Sequence, residues 1–448
     1  MEFWAGQAVV GGTLLERVSF AADAAGLVSH FEAGTDPRPG ATRFGLIAAG
    51  LGNAHSHAFH RRLRGRTNGG GGDFWRWREA MYREAAALTP DSYEDLAERV
   101  FCELLAGGYT AVGEFQYIHH RPDGRPYEQP HAMEMALVRA AQRAGIRLVL
   151  LDTCYLAGGI GRPLESAQAR FSDGTAEAWL DRLAGLRQAV TAAVGVSPAG
   201  EGEAAPAEAP AGDNAAKPPP ATQTSPSLVT IGAAVHSVRA VPRTALDTIA
   251  AGLPQDLPLH IHLSEQPAEN QACQVAYGLT PAALLAYHGL LSPRTALVHA
   301  THLAAADFDL LVQHGCPVVM CPGTEADLGD GIGPAAQLAQ AGVGLAIGSD
   351  QNLRADGLAE LCWLEYGQRL ATGRRGLFTP GELWRIGQAG GYGALGLAAP
   401  LTLGGPCDFF ELDPTTARAA GAEPLELVLV AGPGEIRRVV VGGQVRRP

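Results

Sequence analysis

The feature that most constrains the fold is an alternation repeated along most of the chain. Short apolar runs rich in β-branched residues are separated by stretches with helical character. The runs lie near 44–48 (FGLIA), 109–115 (YTAVGEF), 147–152 (RLVLLD), 228–235 (LVTIGAAV), 258–263 (PLHIHL), 295–300 (TALVHA), 317–321 (PVVMC) and 343–349 (VGLAIGS). Helix-like stretches occupy 91–106, 132–144, 175–194, 279–288 and 304–314. Thr-Pro pairs at 89–90, 280–281 and 379–380 mark helix starts, because threonine caps well and proline fits the first helical position. Eight strands alternating with helices predict an α/β fold, most simply a TIM-like (β/α)₈ barrel.

The chain ends read differently. Residues 1–48 and 398–448 carry short β-like pieces with turn residues, and are expected to form one small β-sandwich domain beside a barrel spanning 49–397. Residues 198–227 are rich in Pro, Ala, Gly and Glu and lack large apolar side chains. They are expected to form a disordered insert within the barrel, because they cannot bury enough surface to offset their ordering entropy.

Composition narrows the function classes. A formal charge of −12 with scattered basic residues excludes a nucleic-acid footprint. No apolar run is long enough for a membrane span, and no basic region precedes the first apolar stretch as in a secretory signal. The seven cysteines are odd in number and form no C-x-x-C pair, which reads as reduced thiols in a cytoplasmic protein.

Chemistry collects at the ends of the strand candidates. His55 and His57 stand two apart after the first run, so in extended chain they share a face and can share a metal. His260 and His262 repeat the spacing, with Glu265 three residues on as a candidate proton carrier; His260 has a competing reading as a packed core histidine. His299 ends the next run, with His302 in the loop after it, and Asp350 ends the last. Barrel enzymes place their catalytic groups at these strand ends.

The order H-x-H, H, H, D on successive strands resembles the amidohydrolase superfamily. That resemblance implies a metal-bearing barrel with a flanking β domain, and a metal held by His55, His57, His262 and Asp350. Two-metal members use a lysine on the fourth strand. Lys217, the only lysine here, lies in the 198–227 insert, so one divalent metal is expected. Nitrogen and oxygen ligands with an open position suit Zn²⁺ and also admit Fe²⁺. Such an ion lowers the pKa of its water to about 7. Glu265 is then expected to carry protons to a leaving nitrogen, His299 to ligate the metal or assist the water, and Asp350 to serve also as a proton acceptor.

Wider matches include HSHAF, FWRWREAMYR (74–83), GYTAVGEFQYIHH (108–120), VHSVRAV (235–241), LHIHLSEQ (259–266), LVHATHL (297–303), TEADLGDGIGPA (324–335) and LEYGQRL (364–370). Together they resemble the formimidoylglutamate deiminases. The resemblance implies hydrolysis of N-formimidoyl-L-glutamate, a small dicarboxylate, to N-formyl-L-glutamate and ammonia in histidine degradation. It also implies that Arg78, Tyr117, His236 and Arg239 hold the substrate, with His60 in the place of a substrate-contacting glutamine. Gln116, Asp327 and the Gln351-Asn352 pair depart from the usual pattern as well.

Two alternatives stand beside this. A related deaminase of another amidine or ring amine predicts an aromatic pocket with no need of two arginines. A non-catalytic zinc-stabilised barrel needs no proton carrier such as Glu265. A homodimer is expected, with the 74–83 segment near its interface.

Overall fold

A computed structural model describes residues 1–67, 74–194 and 227–446. The 198–227 insert, apart from Ser227, lies outside the described residues, and so does Lys217. Four strands open the chain: Glu2–Val10 (β1), Thr13–Ala22 (β2), Val28–Glu32 (β3) and Thr42–Ala49 (β4). Eight parallel strands then close a barrel in chain order: Leu51–Ser56 (β5), Tyr109–Gln116 (β6), Arg147–Cys154 (β7), Val229–Val235 (β8), Leu259–Leu263 (β9), Thr295–His299 (β10), Val318–Met320 (β11) and Leu345–Ile347 (β12). Helices cover the outer face, so strands such as β6 and β7 are buried along their whole length and read as continuous apolar runs.

Seven of the eight strand candidates match barrel strands. The first does not: FGLIA belongs to β4, outside the barrel, and the strand leading to His55 is β5. The switch occurs at Gly50, where a Cβ would collide with the Thr110 side chain, so only glycine lets the chain pass between the two sheets there. The three threonine caps form, with Thr89, Thr280 and Thr379 accepting from the backbone N–H of Ser92, Ala283 and Glu382 at 3.3, 3.1 and 3.2 Å.

Phe409–Leu412 (β13), Ile436–Val441 (β14) and Gln444–Arg446 (β15) return to the opening strands. The result is one seven-stranded sheet in the order β15-β14-β13-β4-β1-β2-β3. The expected sandwich is therefore a single sheet that curls onto itself. Strands β2 and β13 are three positions apart, about 14 Å in a flat sheet, yet the rings of Phe20 and Phe409 sit 5.3 Å apart. Phe409 also meets Phe3 at 5.8 Å and Phe44 at 5.1 Å, so one side chain from the C-terminal end fills a core built by the N-terminal strands. Phe409→Ala is expected to cost about 3–5 kcal/mol in chemical denaturation; a cost below ~1 kcal/mol would show that the ring does not hold the two ends together.

A buried ion pair fastens this sheet to the barrel. Arg147, at the start of β7, donates to both carboxylate oxygens of Asp408 at 2.9 and 3.2 Å. Tyr392 Oη and the Gly442 N–H donate to the same carboxylate at 2.7 Å each. No helix among the described residues is long and apolar enough to cross a membrane.

Candidate active site

The C-terminal ends of β5 and β12 are stitched together. His57 N–H donates to Asp350 O at 2.9 Å and Asp350 N–H to His55 O at 3.0 Å. This brings His55 Nε2 and His57 Nε2 each to 3.6 Å from Asp350 Oδ1. From β9, His262 Nε2 reaches to 3.1 Å from His55 Nε2. All four residues are buried. Among the described residues, five of the nine non-glycine residues with positive φ stand at or just past the ends of β9, β10 and β12: Ser264, His299, Ala300, Asp350 and Asn352. Such conformations cost energy at each residue, and they persist where surrounding structure imposes them.

The donor set fits a divalent ion. His57 Nδ1 lies 2.9 Å from Phe115 O and His262 Nδ1 2.8 Å from His236 O. A carbonyl only accepts, so each Nδ1 carries the proton and each Nε2 keeps its lone pair for a metal. Two nitrogens bound tetrahedrally at ~2.05 Å stand about 3.3 Å apart, close to the observed 3.1 Å. Burial, then the neighbouring imidazole charge of His55, lowers the His57 pKa to about 3. Burial likewise holds His55 and His262 well below their usual values, so the three rings are neutral, as ligands must be. The His55, His57, His262 donor atoms lie within 4.8 Å of one another, and so do those of His55, His299 and Asp350.

His299 ends β10 with Nε2 at 3.9 Å from Asp350 Oδ2 and Nδ1 at 3.4 Å from Glu325 Oε1. Burial opposes its charge, but the Glu325 hydrogen bond and the Glu265 and Asp350 carboxylates raise its pKa to about 10. Glu265 follows β9 and accepts from Arg239 Nη2 at 2.7 Å. Burial would raise the Glu265 pKa; the charges of Arg239 and His299 outweigh it and hold the group below its usual value. His260, one layer deeper on the same face of β9, bonds the Ala394 carbonyl at 2.8 Å and is a core histidine.

The remaining site residues cluster beside this centre. His60 packs against His57 with tilted rings 4.6 Å apart, and its Nε2 is 3.1 Å from Tyr117 Oη. His236 lies 5.0 Å from the His262 ring and 5.5 Å from that of Tyr117. Arg78 donates to Tyr82 Oη at 2.6 Å and pairs with Glu165 at 3.5 Å. Arg239 pairs with Glu269 at 3.3 Å as well as with Glu265. Burial lowers the His236 pKa most, and the charges of Arg239 and Arg78 lower it further.

With this geometry in view, three comparisons apply. The sequence signature of the amidohydrolase family matches residues 46–446. A formimidoylglutamate deiminase of Pseudomonas aeruginosa is 37% identical over 422 residues, covering 90% of this chain and 85% of its own. This chain is an amidohydrolase. The crystal structure of an amidohydrolase from Brucella melitensis superposes with a TM-score of 0.85 at 30% identity, covering 99% of this chain and 94% of its own. An adenosine deaminase from Xanthomonas campestris, crystallised with bound zinc, shares the fold with a TM-score of 0.77 at 22% identity, covering 99% of this chain and 92% of its own.

The amidohydrolase site contains residues that sequence reading did not single out. Phe115 packs its ring 5.1, 5.4 and 4.4 Å from His55, His57 and His262. Glu114 accepts from Ser56 Oγ at 2.7 Å and from the Ala58 N–H at 2.6 Å, fixing the turn after His57. Tyr155 meets His236 edge-on at 4.6 Å, and Gln168 Nε2 donates to both Tyr155 and Tyr82 hydroxyls. Asn352 donates to Ser56 Oγ and His57 O and accepts from Ser349 Oγ, so it locks β5 to β12 rather than facing the reaction. Gln116 turns away from His60, accepting from Tyr93 Oη at 2.9 Å. The departures at 60 and 116 therefore do not compensate each other.

A second buried charge cluster anchors the loop that carries Tyr117 in this amidohydrolase. His119 Nδ1 is 2.6 Å from Glu134 and its Nε2 2.9 Å from Thr153 O. Both partners accept, so the ring is an imidazolium. Arg182 adds bonds to Asp152, Glu134 and Asp173. Burial and the Arg182 charge oppose protonation of His119, and Glu134 and Asp152 outweigh them, raising its pKa above 6.5. A raised histidine pKa stabilises the fold fully below its unfolded value and loses that contribution as pH rises through the folded value. Glu134, held below its usual value, loses its own contribution as pH falls. His119→Gln is thus expected to depress the melting temperature most in mildly acidic buffer, with the gap to wild type narrowing as pH rises above about 6.5. A gap that does not change with pH would refute the charged state.

Proposed function

We propose that this amidohydrolase deaminates N-formimidoyl-L-glutamate hydrolytically to N-formyl-L-glutamate and ammonia, as a step of histidine degradation. One observation carries the reading: a candidate metal-ligand set of His55, His57, His262 and Asp350 gathers at the strand ends, with an ionised Glu265 held by Arg239, and with Arg239 and Arg78 both near enough to depress the His236 pKa. The 37% identity to the Pseudomonas deiminase supports it.

A divalent ion, most simply one Zn²⁺ with Fe²⁺ as the other candidate, supplies Lewis-acid activation of water when bound. The protein supplies the rest. Glu265, kept anionic beside Arg239, takes the proton from the attacking water and passes it to the departing nitrogen, which must be protonated to leave as ammonia. His299, donating through one ring nitrogen to Glu325, presents the other to the reacting centre. Asp350 stands within reach of His299 Nε2 as a second acceptor.

Arg78 and Arg239 give the substrate carboxylates planar, charged partners. A guanidinium carries five N–H donors, so Arg239 serves Glu265 and a ligand together. Tyr117, His60 and His236 line the space between. An aromatic ring substrate would bring no carboxylate for the two arginines to bind. A cytoplasmic enzyme accords with seven cysteines that are all free thiols. We propose a homodimer with the 74–83 segment near its interface; a monomer in light scattering at micromolar concentration would refute that.

The test is ammonia release by zinc-loaded protein from N-formimidoyl-L-glutamate, N-formimidoyl-L-aspartate, guanine and cytosine. Fast release from the glutamate compound alone is expected. Release from a different compound would keep the chemistry and overturn the substrate.

A further inference from the structure

We infer that Gln351 is a substrate-binding residue, donating from its side-chain amide to an acceptor atom of the bound substrate. The inference rests on the proposed reaction only for the identity of that substrate.

Gln351 directly follows the ligand Asp350 and is 4% exposed. Its Oε1 accepts from Trp77 Nε1 at 2.7 Å. An indole nitrogen only donates, so this bond fixes which end of the amide is oxygen and which is nitrogen. The nitrogen end, Nε2, is buried and has no hydrogen-bond partner among the described residues. A buried amide donor without a partner is a standing cost to the fold, and native proteins rarely keep one without a use.

The surroundings point to the site as that use. The Trp77 ring meets His60 edge-on at 5.3 Å, and His60 packs at 4.6 Å, tilted, against the candidate ligand His57. Trp77 therefore holds Gln351 and His60 in one wall of the pocket. His60 Nδ1, in the same wall, is also buried and without a partner among the described residues. A neutral imidazole whose Nε2 is engaged by Tyr117 has one nitrogen left, either donor or acceptor, and cannot offer the paired N–H groups of an amide. Gln351 offers them. The other polar groups after Asp350 are consumed internally, since Asn352 is spent on Ser56, His57 and Ser349. The substrate atom is a hydrogen-bond acceptor: a carboxylate oxygen, or the unprotonated nitrogen of an amidine.

Two variants test this. Gln351→Glu keeps the oxygen that receives Trp77 and replaces the donor by an acceptor; Gln351→Met removes both. Each is assayed on whichever panel compound the wild type deaminates best, with metal content and melting temperature measured alongside. Expected is a loss of about ten- to hundredfold in kcat/KM, larger for Glu than for Met, with metal content unchanged and Gln351→Glu melting within ~2 °C of wild type. If the Glu variant falls further with formimidoylglutamate than with a formimidoyl compound lacking one carboxylate, the acceptor is that carboxylate; an equal fall assigns the amidine nitrogen. Wild-type kcat/KM in both variants overturns the inference, as does activity lost in step with metal content, which would make Gln351 a support for Asp350. Turnover of another panel compound in place of the glutamate one overturns the proposed substrate while leaving the Gln351 test intact. Wild-type protein inert on the whole panel overturns both.

Discussion

Gln in place of Glu265 will abolish deamination without displacing the metal. The expected loss in kcat is about 10²–10⁴-fold, the range for removing a positioned acid–base group. Glu265 is buried but ionised, because Arg239 at 2.7 Å and the charge on His299 overcome the penalty of burial. An ionised carboxylate can take a proton from water and return it; an amide can do neither. The Gln oxygen still accepts from Arg239, so the loop after β9 keeps its geometry and the fold should hold. Metal content by elemental analysis and the rate of ammonia release decide the matter together. Unchanged turnover would sink the mechanism, and a loss of metal in parallel would reassign Glu265 as a support for the ligands. A purely structural barrel has no use for this residue, so the same experiment separates enzyme from scaffold.

Stripping the divalent ion will remove turnover completely and lower the melting temperature. His55, His57, His262 and Asp350 converge within a few ångströms, and a ligand bound only to the folded state stabilises it by about 4 kcal/mol when present at a thousand times its dissociation constant. Titrating Zn²⁺ back into chelated protein should restore rate and melting temperature at one equivalent. A plateau at two equivalents would overturn the single-ion reading and point to His299, Cys321 and Glu325, whose donor atoms also lie within 4.8 Å of one another. Activity that survives chelation would exclude hydrolysis by a metal-activated water.

Much of this architecture is written in short-range pattern. Parallel barrel strands are covered on both faces, so they survive in sequence as unbroken apolar runs between capped helices. The candidate ligand histidines are legible for the same reason: H-x-H at the end of such a run puts both rings on one face. The misplaced first strand has a simple cause. FGLIAAGLGNAH is one continuous apolar stretch, and hydrophobicity alone does not mark Gly50 as the point where the chain leaves one sheet for another. The supporting shell was not legible at all. Glu325, Tyr155, Gln168 and Glu114 matter through partners distant in the chain: Glu325 lies 26 residues from His299 and Glu114 lies 58 from Ser56. Asn352 shows the limit from the other side. The sequence marks it only as a departure from the family pattern, and its bonds make it a strut.

The curled sheet joins the two ends of the chain, and this sets a schedule for folding. On one side β4 pairs with β1, which is made first; on the other it pairs with β13, made almost last. While the ribosome assembles the barrel, β4 waits with a row of unpaired N–H and C=O groups and a bare phenylalanine core beside it. Exposed edges of that kind are where nascent chains stick to one another. The barrel can close as soon as β12 emerges, but the molecule is safe from its own edge only when the final strands arrive. Truncation near the C-terminus should therefore show itself first as aggregation rather than as loss of the metal site.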